Sequence, residues 1–135
     1  KLLPTSSLTK MMTSDVAIEE IDFGNITMDE QVRISVRAWK AVGSRMFIRE
    51  GTNVSIEDLL KGVIIQSGND ASIALAEHIS GSEEAFVDVM NQYAVQMGMT
   101  NTNYNNATGL PSKGHLTTAR DLSKLAQYII YDHAT

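Results

Sequence analysis

Three consecutive helix patterns between residues 55 and 98 place the strongest constraint on how this 135-residue chain can fold. Each pattern repeats apolar residues at the 3.6-residue spacing of one helix face and ends at a glycine, namely Gly68, Gly81 and Gly98. The first and third patterns open on Ser55 and Ser82, which are residues that cap helix N-termini. The sequence therefore predicts three helices separated by short breaks.

Weaker patterns on both sides complete a mainly helical architecture. Residues 5–21 predict a first helix that ends by Gly24, and residues 118–130 predict a last one, after a surface loop over residues 100–116. Alternation over residues 31–35 predicts one short strand, and Met46, Phe47 and Ile48 predict a small hairpin with Val54. We expect a mainly α fold with one or two short strands and no internal repeat.

Composition excludes several classes of function. The formal net charge is −5, from 11 Lys and Arg against 16 Asp and Glu, which argues against a nucleic-acid partner. No run of about eighteen apolar residues occurs, so no membrane segment is expected in this chain. The sequence has no cysteine, and its three histidines show no recurring acidic ligand spacing, so we expect no metal and no cofactor. Glu83, Glu84 and Asp88 are interpreted as a solvated helix face.

Ser7 and Lys10 lie three residues apart in the first predicted helix, so their side chains share one face. A serine hydroxyl attacks a carbonyl only with a base beside it, and a lysine serves as that base when burial or positive potential releases its proton. The simpler interpretation is a helix cap followed by a solvated lysine. The pair predicts a catalytic site only in combination with another motif.

Ser67 and Asn69 supply that second motif, between two predicted helices. Ser67 can relay a proton to a leaving amine, and the Asn69 side chain can hold a substrate amide. The alternative is a helix junction in which Ser67 and Gly68 end one helix and Asn69 caps the next. Ser-x-x-Lys followed by Ser-x-Asn is the motif order of the active-site serine β-lactamases and penicillin-binding proteins.

Three segments resemble low-molecular-mass penicillin-binding proteins that act as D-alanyl-D-alanine carboxypeptidases. They are residues 4–13, 61–71 and 117–122, and stretches at 59–62 and 97–102 resemble the same family between the motifs. Ser-Gly-Asn followed by Asp70 and Ala71 is more similar to the carboxypeptidases than to class A β-lactamases. The resemblance implies that residues 1–135 are the helical subdomain of the β-lactamase/transpeptidase-like α/β fold, with most of the central sheet absent from this chain.

The same resemblance implies a function and a role for each motif residue. The family trims the terminal D-Ala from peptidoglycan stem pentapeptides through an acyl-enzyme, and β-lactams acylate the same serine. By resemblance, Ser7 is the nucleophile, Lys10 its base and Ser67 the donor to the leaving D-alanine, while Asn69 orients the substrate. The implied location is the periplasm or the outer face of the cytoplasmic membrane.

One departure from the family limits these expectations. The third family motif, Lys-Thr-Gly, does not occur in the sequence, so we expect an incomplete and inactive portion of the catalytic domain. Without a facing sheet, Met11, Met12 and Ile64 would lack partners, which predicts self-association or marginal stability. The alternatives are a non-catalytic helical binding module or, among enzymes, a D,D-endopeptidase or a β-lactamase.

Overall fold

The computed structural model describes residues 6–110, 115 and 117–133, and its architecture is mainly helical. The predicted mainly α fold with one or two short strands is confirmed. Its helices and strands, in chain order, are α1 (Ser6–Asp22), β1 (Gln31–Arg33), α2 (Val36–Trp39), β2 (Asn53–Ser55), α3 (Ile56–Gln66), α4 (Asn69–Ser80), α5 (Glu83–Gln96) and α6 (Ala119–His133).

Helix α1 lies at the centre, where it packs against α3, α4, α5 and α6. Met12 is fully buried, so the expectation that it would lack partners is wrong, whereas Ile64 is 61% exposed. Two clusters of buried apolar residues form the core, one built mainly on α3 and α4 and one that joins α1 to α5 and the loop before α6. Polar residues of α1, including Thr9, Lys10 and Thr13, are buried as well. The helix therefore has no solvated polar side over this stretch.

The capping signals predicted from the sequence are present. The hydroxyl oxygen of Ser55 accepts the main-chain N–H of Asp58, and that of Ser82 accepts the N–H of Ala85, at 3.1 Å in both cases. Each bond satisfies one N–H group that the first turn of a helix leaves open. Helix α4 ends at Gly81 in the left-handed conformation, as its pattern predicts. Local sequence therefore determines where α3 and α5 begin and where α4 ends.

The predicted hairpin between residues 46–48 and Val54 does not form. Strand β2 instead pairs antiparallel with β1, with Val32 opposite Val54. Phe47 has a φ of 63°, which no strand residue adopts, and the carboxylate of Asp70 accepts the N–H groups of Met46 and Ile48. Those bonds remove the donors that a hairpin would have used. The short helix α2 is a further element that the sequence did not predict. The hydroxyl oxygen of Ser35 caps it by accepting the main-chain N–H of Ala38.

Among the residues that the structure describes, none of the helices is both long enough and apolar enough to cross a bilayer.

Candidate active site

Lys10 is a buried cation in the second turn of α1, with only 5% of its surface exposed. Its Nζ donates a 2.8 Å hydrogen bond to the main-chain carbonyl of Thr108. Burial lowers the pKa of the Lys10 ammonium below its ordinary value of 10.5, because the protein interior disfavours the charged form. The interpretation of Lys10 as a solvated lysine is therefore wrong. A buried amine with a lowered pKa has the property that a general base requires.

Ser7 lies one turn before Lys10, in the first turn of α1. The backbone of Ser7 is part of the helix, whereas its side chain lies outside the part of the chain whose side chains the structure describes. Residues three apart on a helix project from the same face. Ser7 and Lys10 are thus one helical turn apart along the backbone of α1.

Ser67 faces the same cavity as Lys10, although 57 positions separate them in the sequence. The cavity has a volume of about 420 Å³, and apolar side chains from α1, α3 and α6, such as Met11, Val63 and Ile129, line much of it. Ser67 has a φ of 51° and a ψ of 42°, the left-handed conformation, and the main-chain N–H of the next residue, Gly68, closes the end of α3 by donating to the carbonyl of Gly62 at 3.0 Å. A residue other than glycine in this region carries about 1–3 kcal/mol of strain, and such strain is concentrated at functional sites.

Asn69 begins α4 but does not cap it, so the interpretation of Asn69 as a capping residue is wrong. Its side-chain Nδ2 donates to the carbonyl of Val42 at 2.6 Å, and its main-chain N–H donates to the carbonyl of Ser44 at 2.7 Å. Its Oδ1 is buried and has no hydrogen-bond partner in the described part of the chain. Asn69 thus fixes the segment around Gly43 and keeps one acceptor available.

A loop before α6 covers the polar side of α1. The hydroxyl of Thr13 donates to the carbonyl of Ala107 at 2.9 Å, and the Lys10–Thr108 bond lies one residue further along the same loop. Residues 100–116 were predicted as a surface loop, but Ala107 and Thr108 are buried. The loop is therefore one wall of the site, and the sequence carried no signal for this contact.

His115 connects the same loop to α1. The main-chain N–H of Asn105 donates to His115 Nδ1 at 2.9 Å, so in the neutral ring Nε2 carries the proton and donates to the Thr9 hydroxyl at 2.7 Å. Burial lowers the pKa of the His115 imidazole below 6.5. Tyr104 packs edge-on against the ring, with 5.8 Å between ring centroids. The sequence carried no signal for these contacts of His115.

Glu83 does not belong to a solvated helix face, which corrects the sequence-based interpretation. Its side chain is 8% exposed, whereas that of the adjacent Glu84 is 71% exposed. Glu83 accepts a hydrogen bond from Arg37 at 2.7 Å and another from the main-chain N–H of Ala107 at 3.0 Å. The helix pattern alone assigned Glu83 and Glu84 the same exposed role, because it holds no information about the loop that covers one of them.

No group of three or more His, Cys, Asp or Glu side chains able to hold a metal ion occurs among the described residues. A serine one helical turn before a buried amine is the pair of residue types that nucleophilic catalysis by a serine requires.

Comparisons with known proteins show which family the chain belongs to. The sequence profile of the D-alanyl-D-alanine carboxypeptidase family matches residues 1–135. The chain belongs to this family. It is 44% identical over 137 residues to the D-alanyl-D-alanine carboxypeptidase DacC of Escherichia coli and 43% identical over 128 residues to DacF of Bacillus subtilis. These alignments cover 96% and 95% of this chain.

The fold matches solved structures of the same family. The crystal structure of the D-alanyl-D-alanine carboxypeptidase DacD from Francisella tularensis superposes with a TM-score of 0.94 at 44% identity. That alignment covers 98% of this chain and 32% of the solved one. The chain likewise spans about a third of the length of the curated relatives, with 34% of DacC and 33% of DacF covered. The described elements thus match the helical portion of a larger catalytic fold.

Proposed function

We propose that these 135 residues form the helical portion of the catalytic domain of a serine-type D-Ala-D-Ala carboxypeptidase. The observation that carries the proposal is the buried Lys10, which lies one helical turn after Ser7 and lines one cavity with Ser67. The substrate of this carboxypeptidase is the terminal D-Ala-D-Ala of a peptidoglycan stem pentapeptide. The enzyme acts in the periplasm or at the outer face of the cytoplasmic membrane. Family membership over the whole chain supports the substrate class.

The proposed reaction proceeds through an acyl-enzyme. Ser7 Oγ attacks the carbonyl carbon of the penultimate D-Ala while Lys10 Nζ accepts the hydroxyl proton. The peptide C–N bond breaks, and the departing D-alanine nitrogen receives a proton through Ser67. Water then attacks the ester, which releases the shortened peptide and restores the Ser7 hydroxyl. A β-lactam acylates Ser7 by the same attack, with opening of its ring amide.

The environment of Lys10 fits the role of base. Desolvation lowers the pKa of Lys10, so a larger fraction of the amine is neutral near pH 7 than for an exposed lysine. A neutral amine still has N–H groups, one of which remains bonded to the carbonyl of Thr108. That bond occupies one of the three tetrahedral positions on Nζ and leaves two for the second N–H and for the lone pair that accepts the proton from Ser7.

Turnover requires more than the helical wall of the site. An oxyanion hole and a cradle for the terminal carboxylate need donors on both sides of the scissile bond, and a lost oxyanion donor costs about 2.7–4 kcal/mol. The sequence holds no Lys-Thr-Gly, the third motif of the family. We therefore expect these 135 residues alone to release no detectable D-alanine and to self-associate through exposed apolar residues such as Ile64 and Ile65.

The experiment is acylation by a β-lactam in a protein of the relatives' length that carries these residues. Intact-mass measurement is expected to show one adduct per chain in the wild type and none in Ser7→Ala. An adduct of equal yield in Ser7→Ala would overturn the assignment of the nucleophile. No adduct in the wild type would favour a non-catalytic helical module, and analysis of stem-peptide products separates a carboxypeptidase from an endopeptidase.

A further inference from the structure

We propose that the ion pair between Arg37 and Glu83 positions Lys10 by holding the Ala107–Thr108 peptide against α1. The inference rests on the proposed function in one respect, since it gives the base of that reaction a supporting group. It assigns Glu83 a positioning role, because Glu83 acts on Lys10 only through the main chain of the loop.

The two oxygens of the Glu83 carboxylate bind different partners. Oε1 accepts from Arg37 Nη2 at 2.7 Å, and Oε2 accepts the main-chain N–H of Ala107 at 3.0 Å. The Arg37 guanidinium is held in turn by the adjacent Glu84 at 3.0 and 3.1 Å. Glu83 is buried and negatively charged, and a charge in this position persists only when its oxygens are satisfied. The two bonds therefore fix the Glu83 carboxylate, and with it the amide of Ala107.

The main chain continues directly from Ala107 to Thr108. Thr13 donates to the carbonyl of Ala107 at 2.9 Å, and Lys10 donates to the carbonyl of Thr108 at 2.8 Å. Ala107 is therefore held twice, because its N–H binds Glu83 and its carbonyl binds Thr13. The next carbonyl along the chain, that of Thr108, binds Lys10. Glu83, Thr13 and Lys10 thus hold three successive peptide units of the loop, and the units are linked only through the Cα atoms of Ala107 and Thr108. Displacement of the Ala107 amide therefore shifts the neighbouring carbonyl that Lys10 binds.

Loss of Glu83 would affect both the loop and the surroundings of Lys10. The buried N–H of Ala107 would lose its acceptor, which destabilises the closed loop and favours a conformation in which water reaches that amide. The same opening admits water to the Lys10 ammonium. Desolvation is the cause of the lowered pKa of Lys10, so hydration raises that pKa toward 10.5.

A comparison of the Lys10 pKa between variants requires that the other charged groups near Lys10 stay unchanged. Asp15 on α1 is the other ionisable residue that lines the cavity, and α3 and α6 contribute only Val63, Ile64, Ser67 and Ile129 to its described lining. On the loop side, His115 is bonded to Thr9, the residue before Lys10. None of the substitutions below changes Asp15 or His115.

Adjacent residues on α5 provide a matched pair of variants. Glu83→Ala removes the carboxylate that contacts Ala107, whereas Glu84→Ala removes an exposed carboxylate that pairs with the same Arg37 guanidinium. Glu83→Gln keeps an oxygen that can accept the N–H of Ala107 and gives up the negative charge. Both alanine variants change the net charge equally, so a difference between them reports the contact to the loop.

The readout is the titration of Lys10, followed by NMR of the protein with labelled lysine, with the signal assigned by its loss in Lys10→Met. The Lys10 pKa is expected to rise by at least about half a unit in Glu83→Ala, to stay near the wild-type value in Glu84→Ala and to lie between them in Glu83→Gln. Equal Lys10 titration in the two alanine variants would overturn the proposal. If Glu83→Ala does not fold, the test uses Glu83→Gln instead. A Lys10 pKa in Glu83→Gln equal to that of the wild-type protein would then overturn the proposal.

A second measurement separates this inference from the proposed function. In a protein of the relatives' length, the rate constant of β-lactam acylation is expected to fall about tenfold or more in Glu83→Ala, with little change in the binding constant and no change in Glu84→Ala. Equal acylation in the two variants would overturn the positioning role while the enzyme assignment stands. A wild-type protein that shows the expected Lys10 titration but forms no adduct would overturn the proposed function and leave the positioning of Lys10 intact.

Discussion

The Nζ of Lys10 and the main-chain carbonyl of Thr108 form a buried hydrogen bond of 2.8 Å between residues 98 positions apart. An acceptor on the main chain binds either protonation state of the amine, because both states carry N–H groups. A carboxylate in its place would stabilise the ammonium and raise the pKa of Lys10. The carbonyl therefore orients Lys10 without adding the negative charge that would keep it protonated.

Lys10→Arg is expected to abolish acylation of Ser7, because a guanidinium stays protonated and accepts no proton. Arginine is also larger than lysine, and Lys10 is buried, with 5% of its surface exposed. The measurement is the rate of β-lactam adduct formation in a protein of the relatives' length. Lys61→Arg is the matched control, since the Lys61 side chain is 61% exposed and pairs with Glu57. A Lys10→Arg rate within about tenfold of wild type, or about 1.4 kcal/mol in the barrier, would place the base elsewhere.

Asp70→Ala is expected to lower the free energy of unfolding by about 2–4 kcal/mol. The buried Asp70 carboxylate accepts the N–H groups of Met46, Ile48 and Ala71 at 3.0, 3.2 and 2.9 Å, and alanine leaves them without that acceptor. Urea denaturation measures the change. Asp88→Ala, on an exposed position of α5, is the control and is expected within about 0.5 kcal/mol of wild type. Equal effects of the two substitutions would show that Asp70 does not hold the segment around Phe47.

Stability is expected to fall as the pH drops below about 6.5, through the protonation of His115. The pKa of His115 is lowered in the folded protein, so in that range the unfolded chain binds more protons and unfolding becomes more favourable. Protonation also removes the acceptor for the Asn105 N–H. Urea midpoints between pH 7 and 5 are expected to fall less steeply in His115→Gln than in wild type. A slope in His115→Gln as steep as that of wild type would contradict the assignment.

Gly43→Ala is expected to destabilise the protein by about 1–3 kcal/mol more than Gly24→Ala. Both glycines have positive φ, 83° and 80°, so the backbone strain of an alanine is similar at the two positions. A Cβ at Gly43 would lie 2.7 Å from Asn69 Nδ2, whereas a Cβ at Gly24 meets no atom within 4 Å. Urea denaturation gives the difference, and the NMR signals of the Asn69 amide are expected to shift in Gly43→Ala alone. Equal destabilisation without that shift would exclude the steric contact.

Local sequence predicted the five longer helices, but not α2, because the determinants of those helices lie within a few residues of each other. Ser55 and Ser82 cap the helices that their patterns indicated, and Ser67 ends α3 where predicted. The positions of Ser7, Lys10, Ser67 and Asn69 follow from the same signals, while their catalytic roles stay predictions.

Contacts between distant segments could not be predicted in this way. Glu83 and Glu84 are adjacent residues of the same type, so the sequence pattern does not distinguish them. Glu83 alone is buried, because the loop at Ala107 packs over it. The failed hairpin has the same origin, since Asp70 lies 24 and 22 residues beyond the two N–H groups that it binds. The sequence pattern within residues 46–54 holds no information about Asp70, which binds the N–H groups that a hairpin would need.

The bonds between α1 and the loop before α6 also determine when the site can form during folding. Helices α3, α4 and α5 are neighbours in the chain, and their contacts require little loop closure. The Lys10–Thr108 and Thr13–Ala107 bonds close segments of 98 and 94 residues, so their entropic cost comes before any gain. A nascent chain can therefore have its helices in place while Lys10 is still hydrated and fully protonated. The neutral amine, which is the form able to accept a proton, becomes populated only when the last part of the domain folds over Lys10, which couples reactivity to completed folding.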